Sequence, residues 1–84
     1  MEILSVNPNP FVNTAELEFY MPRKDEAVFE YYDVNGKLLK TDNGYFEAGK
    51  HRLQLRREEF NSIGFVYIRM TTGDSSTEYR MMLL

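Results

Sequence analysis

The stretch Ala27-Val28-Phe29-Glu30-Tyr31-Tyr32-Asp33-Val34-Asn35-Gly36-Lys37-Leu38-Leu39 decides the fold class. Ala27, Phe29 and Tyr31 fall on one side of an extended chain, and Val28, Glu30 and Tyr32 on the other. That period of two is the signature of a half-buried strand. The run stops at Asp33 and resumes at Lys37, so Asp33–Gly36 is a hairpin connection. Asn35-Gly36 suits a two-residue type I′ turn. Asp33 and Gly36 also fit the first and last positions of a type I turn, with Gly36 as a left-handed bulge residue. The first option places Leu38 opposite Asp33, whereas the second pairs Tyr31 with Leu39 on the inner face. The second buries the apolar pair and is preferred, which requires positive φ at Gly36.

The same alternation recurs outward from this hairpin. Ala15, Leu17 and Phe19 alternate with Glu16, Glu18 and Tyr20, and His51, Leu53 and Leu55 with Arg52, Gln54 and Arg56. Val66, Ile68 and Met70 face away from Phe65, Tyr67 and Arg69. Tyr79, Met81 and Leu83 are expected inward, leaving Arg80, Met82 and Leu84 outward. Turn signals separate the runs: Asn7-Pro8-Asn9-Pro10, Met21-Pro22 through Glu26, Ala48-Gly49 and Gly73-Asp74. Seven strands are expected, near 3–6, 14–20, 27–33, 37–41, 50–55, 64–71 and 76–83, with one helical turn around Glu58 to Ser62. One apolar and one mixed face per strand specify an all-β, seven-stranded antiparallel β-sandwich of immunoglobulin-like type. Its 84 residues hold a single domain, 1–84. Residues 1–2 read as the start of an expressed fragment or a linker remnant.

Composition narrows the function classes. A net charge of −3 argues against nucleic-acid binding, which needs clustered cations. The basic pairs Arg23-Lys24 and Arg56-Arg57 are each followed directly by two acids. No apolar run approaches the roughly 18 residues of a transmembrane segment. No signal peptide is read at the start, since Glu2 and Asn7 interrupt any apolar segment. Cysteine is absent, which removes disulfides and thiolate chemistry. The single histidine, His51, begins a strand on its apolar side. Glu58-Glu59 and Asp25-Glu26 are adjacent in loops and diverge, and the serines at 5, 62, 75 and 76 have no base or elbow motif nearby. No catalytic, cofactor or metal site is expected. Tyr20, Tyr32, Phe65 and Tyr67, predicted outward, raise the alternative of a carbohydrate-binding module, although cross-strand pairing accounts for outward aromatics equally well.

Five blocks in order resemble the type A C-terminal sorting domain of the Bacteroidetes type IX (Por) secretion system. They are Val6-Asn7-Pro8-Asn9-Pro10-Phe11, Tyr32-Asp33-Val34-Asn35-Gly36-Lys37-Leu38-Leu39, Ala48-Gly49-Lys50-His51, Gly64-Phe65-Val66-Tyr67-Ile68-Arg69-Met70 and Arg80-Met81-Met82-Leu83-Leu84. The resemblance spans Leu4 to Leu84, with Asn7 and Val66 standing where the family commonly has Tyr. It implies structural roles for Pro8, Asn9, Pro10, Phe11, Asp33, Gly36, Gly49 and Gly64. It implies recognition through Arg80, Met81, Met82, Leu83 and Leu84. The partners implied are the outer-membrane translocon, a sortase-like peptidase and an upstream cargo domain in the parent chain. The location implied is the periplasm in transit, then the cell surface or medium, with any cleavage upstream of Leu4. A generic immunoglobulin-like accessory module, similar to those of flagellar hook-capping proteins, shares the Asp33–Gly36 hairpin.

Overall fold

The computed structural model describes residues 2–73 and 75–84; Met1 and Asp74, the second residue of the Gly73-Asp74 turn, lie outside them. Seven strands follow one another: β1 (Glu2–Asn7), β2 (Thr14–Met21), β3 (Asp25–Tyr32), β4 (Leu38–Phe46), β5 (Gly49–Arg56), β6 (Gly64–Thr72) and β7 (Ser75–Leu83). They form two antiparallel sheets, ordered β1-β2-β5 and β4-β3-β6-β7. In immunoglobulin lettering these are A-B-E and C′-C-F-G, so the chain is an immunoglobulin-like sandwich. A short 3₁₀ turn, Arg57–Glu59, links β5 toward β6 and begins one residue before the expected helical turn.

The inward residues are those the alternation selects. Leu17, Phe19, Ala27, Phe29, Tyr31, Val66, Ile68 and Met70 are fully buried. Phe19 packs edge-on against Phe29 and Phe46 at 4.9 and 5.0 Å, and Phe60 meets Tyr31 at 5.4 Å. The Phe19 contacts join the two sheets through ring quadrupoles as well as apolar area, and the Phe60 contact ties the loop before β6 to the core.

The Asp33–Gly36 hairpin takes the bulged form. Gly36 N–H donates to the Asp33 carbonyl at 3.0 Å, and Gly36 has φ 83° while Asn35 stays at negative φ. Type I′ would need both residues positive. The expected Tyr31–Leu39 pair does not form, however. A second irregularity between Tyr31 and Tyr32 sets Tyr32 opposite Leu38 and Tyr31 opposite Lys40. The fourth strand also runs to Phe46, well past the expected end at 41.

Lys40 and Asp42 therefore point inward from an edge strand. Tyr31 Oη donates to Asp42 Oδ2 at 2.9 Å, and Lys40 Nζ donates to Glu59 Oε1 at 2.8 Å. Lys40 Nζ also lies 5.5 Å above each of the Tyr31 and Phe60 rings. Inward charge on an edge strand discourages pairing with another chain, and here every inward polar group finds a partner.

Candidate functional site

All but Gly49 of the residues singled out in the sequence by the resemblance lie toward one end of the sandwich. β1 ends there, β2, β4 and β6 begin there, and β3, β5 and β7 finish there. Pro8–Phe11 leaves β1 and crosses to the free side of β7. Asn9 Oδ1 accepts from Met82 N–H at 2.9 Å, and Asn9 Nδ2 reaches the Arg80 carbonyl at 3.5 Å. Phe11 N–H donates to the Met82 carbonyl at 3.2 Å and accepts at its own carbonyl from Leu84 N–H at 3.3 Å. A single parallel bridge, Phe11 with Leu83, results. The Phe11 ring is buried against Phe60 and anchors this strap.

The last residues are clamped from a second side. Arg57 Nε donates to the Leu84 carbonyl at 2.9 Å, while Nη1 and Nη2 reach the carbonyls of Phe60 and Ser62 at 3.0 and 2.7 Å. Arg57 N–H donates to Asn13 at 2.7 Å, tying the clamp to the strap. One guanidinium fork thus holds the chain end, the 3₁₀ turn and the following loop together. Neither Arg57 nor Phe60 was singled out in the sequence. Arg57 sits beside Arg56 in a mixed-charge run, and its long-range carbonyl partners leave no local pattern.

Of the segment Pro8, Asn9, Pro10 and Phe11, Asn9 and Phe11 thus meet Arg80, Met82, Leu83 and Leu84 directly, and Gly64 pairs with Leu83. Asp33 and Gly36 form the neighbouring turn, where Asp33 Oδ1 accepts from the Asn35 and Lys37 amides at 2.9 Å each. Gly49 lies at the opposite end, paired with Met21. As expected, Met81 and Leu83 are buried, and the Leu84 side chain is exposed. Met82 is half-buried on the outer face, where Phe65 is its cross-strand partner.

Two of the outer-face aromatics each have an arginine beside the ring. The Arg80 guanidinium carbon lies 4.5 Å above the Phe65 ring, and that of Arg69 lies 5.9 Å above Tyr32. Tyr20 and Tyr45 lie at the other end of the sandwich.

His51 packs parallel to Phe19 at 5.5 Å, and its Nε2 donates to the Glu47 carbonyl at 2.6 Å. Burial, aided by the Asp42 carboxylate, pushes the Tyr31 phenol far above its ordinary value and keeps it protonated. Among the described residues no three His, Cys, Asp or Glu side chains converge as metal ligands, and no helix is long and apolar enough to cross a membrane. What the arrangement offers chemically is a surface: a terminal strand with its backbone bonded and its outer side chains presented. No protein-family model matches the chain, and no curated protein matches it.

Proposed function

We propose that the chain is a type A C-terminal sorting domain of a type IX secretion system, a folded label by which the outer-membrane translocon recognises an attached cargo protein. A sortase-like peptidase is then the partner that removes the label. The observation that carries this reading is the contact between the two blocks at opposite ends of the resemblance. Asn9 and Phe11 from the opening block hydrogen-bond Met82 and Leu84 from the closing block. Blocks separated by some seventy residues are then one structural unit, which gives a physical reason for them to occur together.

The test is transfer. Residues 3–84 fused behind a periplasmic reporter should direct its export in a type IX-competent Bacteroidetes strain and leave it periplasmic in a strain lacking the translocon. Equal export in both strains overturns the proposal, and no export in either favours the accessory-module reading. A paired variant, Met82→Lys with Leu84→Lys, changes side chains that are half-buried and exposed. It should melt within a few degrees of the parent, about 0.5 kcal/mol or less being typical of surface changes, yet hold the cargo in the periplasm.

A further inference from the structure

Recognition of the terminal strand has two physical routes, pairing with its backbone edge or contact with its side chains. From the Arg80 carbonyl onward the backbone route is occupied. On the side of β7 away from β6, the Arg80 carbonyl, both polar groups of Met82 and both of Leu84 are held by Asn9, Phe11 and Arg57. A partner strand would have to displace a strap whose Phe11 ring is buried in the core.

The side chains differ sharply between the two outer faces. On the three-stranded sheet, Glu18 faces Arg52 at 3.5 Å, Glu16 faces Gln54 and Tyr20 faces Lys50. That face is a charged ladder. On the four-stranded sheet, Tyr67 stands between Tyr32 and Arg80, and Phe65 stands beside Met82. Two cations lie on this aromatic face, and they are not equivalent. Arg69 is satisfied, donating from Nε and Nη2 to Glu78 Oε2 at 3.2 and 3.0 Å. Arg80 holds its guanidinium carbon 4.5 Å from the centre of the Phe65 ring and has no carboxylate partner among the described residues. The ring quadrupole holds the cation against Phe65, while its N–H donors have no carboxylate to meet among the described residues.

From this geometry we infer that the outer face around Phe65, Tyr67, Arg80 and Met82 docks a protein partner through a segment that sets a carboxylate against Arg80 beside an apolar side chain on Phe65 and Met82. Aromatic and arginine anchors in an apolar setting are the side chains that dominate interface energies, and a carboxylate meets arginine in two parallel hydrogen bonds. The inference deepens the sorting proposal by assigning its recognition step to one face and one chemistry.

The test uses the full chain, ¹⁵N-labelled, titrated with the capped peptide acetyl-Asp-Leu-Phe-amide and with its Asn counterpart. Shifts should centre on the amides of Phe65, Tyr67, Arg80 and Met82, with the Asp peptide binding several-fold tighter. Arg80→Gln should abolish that preference without changing the melting temperature. The inference is overturned by equal affinity for the two peptides, or by no shifts up to about 10 mM, a concentration that reaches even weak contacts. Shifts centred on Asn9–Phe11 also overturn it, since they report strand addition, as does a concentration-dependent spectrum without peptide, since the occupant is then a second copy. The reporter fusion separates this outcome from the sorting proposal. If the parent fusion is exported and Arg80→Gln is exported equally well, the face assignment falls and sorting stands. If the parent fusion is not exported, sorting falls and the titration alone judges the face.

Discussion

Replacing Phe11 by alanine tests the strap most directly. Phe11 is 1% exposed, lies 6.5 Å edge-on from Phe60, and carries both backbone hydrogen bonds to β7. Truncating a buried phenylalanine typically costs about 3–5 kcal/mol. An 84-residue domain holds roughly 4–13 kcal/mol in all. The loss is limited by one escape: the strap can release β7 rather than leave a cavity, so the measured value is set by the cheaper of the two. Release would still expose Phe60 and free three backbone groups of Met82 and Leu84, so we expect about 3 kcal/mol. At about 4–8 °C per kcal/mol for domains of this size, the melting temperature should fall by at least about 12 °C. Urea unfolding followed by circular dichroism gives the free energy. Hydrogen exchange at the Met82 and Leu84 amides shows whether the strap has let go. A fall of less than about 4 °C, roughly 1 kcal/mol or less, with those amides still protected, refutes the claim that Phe11 anchors the strap.

Gly36→Val isolates a backbone effect, because a Cβ built at Gly36 meets nothing within 4 Å while φ is 83°. It should cost about 1–3 kcal/mol in thermal melts, and an unchanged melting temperature would sink the bulged-turn assignment. Glu59 is held below the ordinary carboxylate range chiefly by the hydrogen bond from Lys40, with the Arg56 amide and the charges of Lys40 and Arg56 adding to it. Its ionised form is favoured by folding, so its contribution is present above about pH 4.5, the ordinary value, and is lost as pH falls through the lowered value. Glu59→Gln should therefore flatten the acid side of the stability profile by less than about 1 kcal/mol, since the pair is solvent-screened. Coincident acid limbs for parent and variant would remove Glu59 from the account. Tyr31→Phe removes the donor to Asp42 and should cost about 1 kcal/mol by urea melt, with no loss expected if Asp42 is fully served by Lys40.

The sandwich was legible where each strand has one apolar face. Ala15-Leu17-Phe19, Ala27-Phe29-Tyr31, Val66-Ile68-Met70 and Met81-Leu83 all point inward, as their spacing requires. The fourth strand was legible only in part. Its inward positions past the bulge are Lys40, Asp42, Gly44 and Phe46, so alternation gives no apolar signal until the strand is nearly over. Those residues are tolerated because β4 is an edge strand whose inward charges reach Tyr31 and Glu59. The extra residue at Leu39 is equally silent locally. It shifts the register by one, which is why Tyr31 meets Lys40. At the candidate site, Pro8–Phe11 was recognisable as a turn, and Arg80–Leu84 as a strand. Their contact across the molecule is a tertiary fact with no local signature, and the clamp by Arg57 shares that property.

The strap also explains how a terminal strand with apolar residues avoids the hazard of an open edge. Covering β7 with another strand would merely move the unpaired edge outward. Pro8-Asn9-Pro10 avoids this, because the two prolines have no N–H to offer a further chain. The one residue between them uses its side chain for Met82 and the Arg80 carbonyl. Phe11 then supplies a single donor and a single acceptor before the chain turns into β2. From Arg80 onward the sheet therefore ends in a segment that satisfies the edge of β7 without continuing it. The outer side chains of Arg80, Met82 and Leu84 are left as the part of the terminal strand that another protein can reach at no cost to the fold.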